Sequence, residues 1–241
     1  MKLPDNIFGI EKEGAYKRAL DRLEKPETIV PPASRVPTSL DGVNLADYIL
    51  VPQHSLYVAK QRSHFDTTWY QAHQALQKEG ARMLTIREFV DILQLLQSGK
   101  VVDGLEKNLA KTEIDTMYDG ITKKVDPWRA EWLDADFKVV RDVLHINYGH
   151  KSVNGKLEPT RSEQLEQCVM EEGYVDLFSA NRQGLPTKKT RNQDFYYWKP
   201  LDDNNSVAGF EAGSDRAILS CGRDPQDSVA VLGVRAARVK K

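Results

Sequence analysis

Long hydrophobic runs are missing from this chain. No stretch approaches the roughly 20 apolar residues of a membrane-spanning helix, and the opening Met1-Lys2-Leu3-Pro4-Asp5 lacks the apolar run of a secretory leader. The expectation is a soluble chain without membrane insertion, cytoplasmic unless another route exports it. Cysteine is scarce: Cys168 and Cys221 are the two in 241 residues, too few for a disulfide framework. Both are expected to be small buried hydrophobes. A charge excess is also missing. Lys plus Arg total 34 against 35 for Asp plus Glu, a net charge of −1, which argues against a dedicated nucleic-acid binder.

The usual signs of catalysis are thin as well. Among the five histidines, His54, His64, His73, His145 and His150, no pair has a zinc-type helical spacing, and neither cysteine lies near one in sequence. No Ser–His–Asp motif with local context and no glycine-rich phosphate loop is present. Glu131, Asp134 and Asp136 read as a solvated loop face. Asp202-Asp203-Asn204-Asn205 lacks calcium-loop register and reads as an Asx-rich turn. No cofactor, metal or catalytic residue is expected.

What is present is an ordinary globular composition, 40% hydrophobic and 29% charged. A short helix is expected over Lys12 to Lys25, and prolines at 26, 31, 32 and 37 mark Pro26 to Leu40 as a linker or extended arm. Residues 1–40 are therefore an N-terminal extension and 41–241 the main domain. Tyr48 to Val51 and Leu56 to Ala59 are strand-like, separated by Pro52. A helix capped by Asp66 or Thr67 runs to about Lys78, with Trp69, Ala72, His73 and Leu76 inward. His73 reads as a satisfied core histidine.

Thr85-Ile86-Arg87-Glu88 is a capping box opening a second helix, which Gly99 stops. Residues 104–121 give a weaker helix, taken as an insertion. Trp128 and Trp132 read as core aromatics. Phe137 to Val140 and Val143 to Tyr148 form a hairpin across Arg141-Asp142, and Asn154-Gly155 marks a tight turn. Ser162 to Glu172 is expected as a short helix, and Phe195 to Trp198 as a buried strand.

The most informative stretch is Asn205 to Arg238. Phe210, Ala212 and Ser214 sit two apart, as do Ala217, Leu219 and Cys221, so one strand face is small or apolar. The interleaved residues share no chemical character. One row looks like scaffold and the other like free choice.

With the closing Leu232-Gly233-Val234-Arg235, this pattern resembles the variable region of diversity-generating retroelement target proteins, in their archaeal variable-protein branch. Asp41 to Tyr48, Trp128 to Ala135, Tyr197-Trp198 and Asp203 to Ala208 resemble the same branch. The resemblance implies an α+β, C-type lectin-like fold: two helices on a mostly antiparallel sheet, an N-terminal extension and a C-terminal variable region at about 205–238. It implies non-catalytic ligand binding, with codons of that segment rewritten by adenine-specific reverse transcription. The implied partner is a protein or cell-surface ligand. Gly209, Glu211, Gly213, Asp215, Ile218, Ser220, Gly222, Arg223, Gln226 and Asp227 are the expected display positions, exposed and of little weight in stability.

Two alternatives share the fold. Formylglycine-generating oxidases need two neighbouring catalytic cysteines, and this chain offers Cys221 alone in that stretch. A structural or assembly protein would bury the segment between subunits.

Overall fold

The computed structural model describes residues 42–240, together with the backbone pairing of three short strands before them. Contacts divide the chain into Met1–Val36 and Pro37–Lys241. In the first unit, β1 (Asn6–Ile7) and β2 (Ile10–Glu11) pair antiparallel. The helix expected over Lys12 to Lys25 lies outside the described residues, as does the linker except for Ser39 and Leu40.

The second unit opens with the antiparallel pair β3 (Ser39–Leu40) and β4 (Val43–Asn44). Next come β5 (Tyr48–Val51) and β6 (Leu56–Ala59), joined by a 3-10 turn over Pro52–His54 that Ser55 closes at a φ of 51°. Helix α1 (Trp69–Lys78) is capped by Thr68, one residue later than expected. Gln71 reaches back to the Thr68 amide and completes a capping box there as well. Helix α2 (Ile86–Ser98) has the expected box, Thr85 with Glu88, and ends on Gly99 at a φ of 69°, where glycine carries no Cβ penalty.

Helix α3 (Lys111–Thr122) is a correction. It starts after Leu105 and Leu109, and its Ile114, Met117 and Ile121 join the main core beside α2 rather than forming an appended insertion.

The remaining strands are β7 (Arg129–Val140), β8 (Val143–Tyr148), β9 (Lys151–Val153), β10 (Lys156–Glu158), β11 (Arg161–Gln164), β12 (Gly173–Val175), β13 (Phe195–Trp198), β14 (Val207–Ala212), β15 (Ala217–Arg223), β16 (Leu232–Val234) and β17 (Ala237–Val239). Arg141 and Asp142, both at positive φ, turn β7 into β8, and Asn154-Gly155 turns β9 into β10. The helix expected over Ser162 to Glu172 is absent. Arg161–Gln164 instead extends the edge of the main sheet against β8. The neighbouring strand edge, a long-range feature, overrides the local helical preference.

The main sheet runs β11-β8-β7-β14-β15-β13-β12, with β16 parallel to β7 and β13 parallel to β15. A second sheet orders β17-β6-β5, so the C-terminal strand pairs with one of the earliest. The architecture is mixed α+β, rich in antiparallel pairing.

Helices α2 and α3 cover one face of the sheet through Phe89, Leu93 and Ile114, against Leu133, Phe210 and Leu219. Helix α1 covers part of the other face through Trp69, Ala72 and Leu76, against Trp132, Val207 and Val234. Gly233 is required by close approach: a Cβ there would lie 2.9 Å from the Ser63 carbonyl oxygen and 2.8 Å from the Phe65 ring. Among the described residues, no helix is long and apolar enough to cross a membrane.

Candidate functional site: a two-strand ledge

The alternation in β14 and β15 divides them cleanly. Phe210, Ala212, Ala217, Leu219 and Cys221 all enter the main core. Glu211 pairs with Ile218 and with Ala130 of β7, and Gly209 with Ser220 and Trp132, so these residues share the opposite face. Tyr196 and Trp198 of β13 stand beside Ile218 and Ser220 and extend that face.

Register shifts between Val207 and Gly209 on both sides of β14. The strict two-residue alternation therefore ends near Cys221, and a bulge re-aims the residues beyond it. Arg223 consequently swings back over the face.

Exposure is where the expectation needs correcting. Asp215 and Gln226 are exposed, and Gly222, Arg223 and Asp227 are partly so. Gly209, Glu211, Gly213, Ile218 and Ser220 are buried. They point away from the core, as expected, but other parts of the chain cover them. Alternation reports which face a residue takes. It does not report what else folds onto that face.

The cover is largely one cluster. Arg223 lies 5.5 Å from the Trp128 ring centroid and 5.4 Å from that of Trp132. It donates to Glu211 at 2.8 Å and to Asp227 at 3.2 Å. Trp128 Nε1 donates to the same Glu211 oxygen at 3.1 Å. A buried carboxylate thus has two donors, and a guanidinium is held between two aromatic faces. Gly209 lies beneath: a Cβ there would meet Arg223 Cδ at 2.9 Å. Ser220 is fully buried, and its hydroxyl has no partner.

Beside this cluster the face opens into a hollow of about 310 Å³, lined by Trp128, Trp198, Glu211, Gly213, Asp215, Arg216 and Ile218. Asp215 and Arg216 pair at 2.7 Å on its rim, and Arg216 also lies 5.0 Å from the Tyr196 ring centroid. The hydrogen bond from Arg216 holds the Asp215 carboxyl below its usual range. Gly213 has no positive φ, and a Cβ there would make an ordinary contact of 3.4 Å with Trp128. The hollow presents aromatic walls with one carboxylate–guanidinium pair at its rim.

Trp128, Trp198, Tyr196 and Arg216 went unread as site residues. Trp132 is core, but Trp128 is only half-buried and Trp198 is exposed, which corrects their assignment to the interior. The signal was available in β13. Phe195 and Tyr197 are buried while Tyr196 and Trp198 are not, the same two-residue period. The Asp202 to Asn205 turn is as expected: Asp203 accepts from the Asn205 amide at 2.9 Å and the Ser206 hydroxyl at 2.7 Å.

Cys221 is fully buried, and burial raises its thiol well above the usual range. Cys168 bears on it electrostatically, and the Tyr197 hydroxyl lies beside both. The two thiols therefore share a neighbourhood that their sequence separation concealed. Burial also raises Cys168, so the environment opposes the thiolates that metal binding or nucleophilic attack requires. In a thiol-labelling time course, Cys168 is expected to react first, and Cys221 only under denaturing conditions. Labelling of Cys221 in the native protein at the rate of a free thiol would contradict this.

No family model matches the chain, and no solved structure matches it significantly. Two curated cysteine–tRNA ligases do, from Helicobacter pylori strains J99 and P12. Each is 24% identical over 151 residues, covering 57% of this chain and 30% of the ligase. The chain thus spans less than a third of the length of these relatives, and no activity passes to it from so partial a likeness.

Proposed function

We propose that this chain is a non-catalytic ligand-binding protein of C-type lectin-like fold. In this reading, retroelement-directed mutagenesis rewrites its C-terminal segment, and the ledge of β14 and β15 displays the products. The observation that carries the reading is the split of alternate residues. Phe210, Ala212, Leu219 and Cys221 anchor the strands, while Gly213, Asp215 and Ile218 line the hollow on the other face. The return of β17 to pair with β6 supports the same fold.

Its physical logic is that anchoring and display lie on different sides of one sheet. Exposed substitutions typically change stability by within about 0.5 kcal/mol, and core truncations cost about 2–5 kcal/mol. The hollow's aromatic walls suit a protein or peptide ligand, where rigid aromatic area carries most of the affinity.

Involvement in the packing around Arg223 divides the ten positions into two groups, since Gly213 and Ile218 are buried yet line the hollow. Asp215, Gln226 and Asp227, with Gly213, Ile218 and Gly222 at their edges, are the freely variable set. Glu211, Arg223, Gly209 and Ser220 form a supporting set whose changes carry a stability cost. Glu211→Ala is expected to destabilise by about 1–3 kcal/mol, because it strips Arg223 and Trp128 of a shared acceptor. Asp215→Ala should stay within about 0.5 kcal/mol. Urea melts of the two variants check the ranking, and equal tolerance would contradict it.

The decisive experiment is genetic. Sequencing around the gene should reveal a near-copy of the codons for residues 205–238, differing at adenines and beside a reverse transcriptase gene. A complete locus with no such copy would sink the retroelement part. The display part stands or falls separately. A library randomised at Gly213, Asp215, Ile218 and Gln226 should remain mostly folded and yield binders to arbitrary proteins. Wholesale unfolding of that library, or an oligomer that buries the ledge between subunits, would favour the assembly role instead.

A further inference from the structure

Away from the ledge, three side chains distant in sequence converge under α1. His73 comes from that helix, Asp134 from the middle of β7, and His150 from the turn after β8. All three are buried, and one ligand atom from each lies within 4.8 Å of the others. Glu131, Asp134 and Asp136 all lie in β7, the first two buried at 3% and 1% exposure and Asp136 half-buried, which corrects their reading as a solvated loop face. His73 is interior as expected, yet it is not satisfied: its Nε2 has no hydrogen-bond partner.

We propose that His73, Asp134 and His150 bind a divalent transition-metal ion of the zinc class. Two imidazoles and one carboxylate are a donor set for zinc or cobalt, whereas calcium and magnesium take oxygen ligands.

The spacing fits. His73 Nε2 stands 3.6 Å from Asp134 Oδ1, too far for a good hydrogen bond. It is near the roughly 3.4 Å that separates two donors of a tetrahedral ion with bonds of about 2.0–2.1 Å. His150 Nδ1 stands 2.5 Å from the same Asp134 oxygen, sharing a proton with it. An ion taking the place of that proton would spread the pair by about 1 Å, and the proton would leave to solvent.

Part of an outer shell is in place. Asp134 Oδ2 accepts from the amides of Gly149 at 2.9 Å and His150 at 3.3 Å. The far nitrogen of His150 faces Asp136 Oδ1 at 3.5 Å, longer than a good hydrogen bond but on the side where a carboxylate orients a metal-bound imidazole. Trp69 stands edge-on to both rings, with centroids 4.4 Å from His73 and 4.8 Å from His150. Its own Nε1 donates to the Leu133 carbonyl at 2.9 Å, which fixes the wall.

Without an ion, burial lowers His73 to about 4 and leaves it uncharged. Burial also opposes charge on His150, but Asp134 and Asp136 outweigh it and raise that residue to about 9. A cavity of about 460 Å³ beside the N-terminus of α2 is lined in part by Asp134 and Gly149 and so borders the cluster. Of the guanidiniums lining it, Arg82, Arg87 and Arg182 pair with Glu88, Asp91 and Glu163, while Arg161 lies over the Tyr148 ring.

The test is cobalt binding to the full chain after chelation and dialysis. Wild type should take up about one ion per chain, gain visible absorption of a low-symmetry cobalt site, and melt at higher temperature. His73→Gln removes one donor and leaves the Asp134–His150 pair intact. It should keep the metal-free melting temperature while weakening cobalt binding by more than the roughly 10–100-fold typical of losing an outer-shell partner. Cobalt X-ray absorption on wild type gives a second readout that needs no variant, and imidazole scattering is expected there. No uptake by folded wild type, an imidazole-free shell, or undiminished binding by folded His73→Gln would each overturn the proposal.

Discussion

Phe210→Ala is expected to destabilise the protein by about 3–5 kcal/mol, the range for a buried aromatic truncated to a cavity. Phe210 is 2% exposed. Its ring centroid lies 4.9 Å from that of Phe89 on α2 and 6.3 Å from that of Phe195 on β13. It also sits between Glu131 of β7 and Leu219 of β15 in the ladder. The ring therefore fastens the middle of the sheet to a helix, and the backbone around it is too constrained to collapse into the space. The immediate neighbour takes the other face: Glu211→Ala should cost less than Phe210→Ala, and Asp215→Ala least of the three. Urea unfolding of the three variants decides the order. A tolerant Phe210 beside an intolerant Asp215 would mean that the strand's two faces are exchanged, since a one-residue slip inverts every side chain.

That ordering was partly legible in the sequence, and the reason is local. A strand's two faces follow from the pleat, so Phe210, Ala212, Leu219 and Cys221 could be read inward from spacing alone. The capping box at Thr85 and the hairpin at Arg141-Asp142 were legible for the same reason: each is decided within four residues. What escaped was decided by distant chain. Ser162 to Glu172 looked helical because nothing nearby says that β8 offers an open edge. Glu211 and Ser220 looked exposed because the folding of Arg223 over two tryptophans is not written in the alternation of β14 and β15. His73 is 61 residues from Asp134, which is 16 from His150, and they sit on a helix, a strand and a turn. No spacing rule joins them, and a buried histidine looks the same in sequence whether or not its nitrogen finds a partner.

Arg235→Met is the second large effect, expected at about 3–5 kcal/mol, because it leaves a buried carboxylate without its counter-charge. The Arg235 and Glu131 side chains are 6% and 4% exposed. The guanidinium forks onto Glu131, with Nε to Oε2 at 3.1 Å and Nη2 to Oε1 at 3.3 Å. Its Nη1 donates to the carbonyls of Ala59 at 3.1 Å and Lys60 at 2.6 Å. One side chain thus joins the tail after β16 to the start of β7 and to the end of β6. This gives Leu232-Gly233-Val234-Arg235 a physical meaning: it returns the chain from β15 and locks it to both sheets. Lysine should not substitute, since an ammonium keeps the charge but cannot make the planar fork and reach two carbonyls together. If the cost comes from the stranded charge, the double variant Glu131→Leu/Arg235→Met should be more stable than Arg235→Met alone, because removing both charges removes the desolvation penalty. Chemical denaturation of wild type, both single variants and the double variant closes that cycle. An Arg235→Met protein within about 1 kcal/mol of wild type would show that the tail is held by β16 and β17 pairing alone.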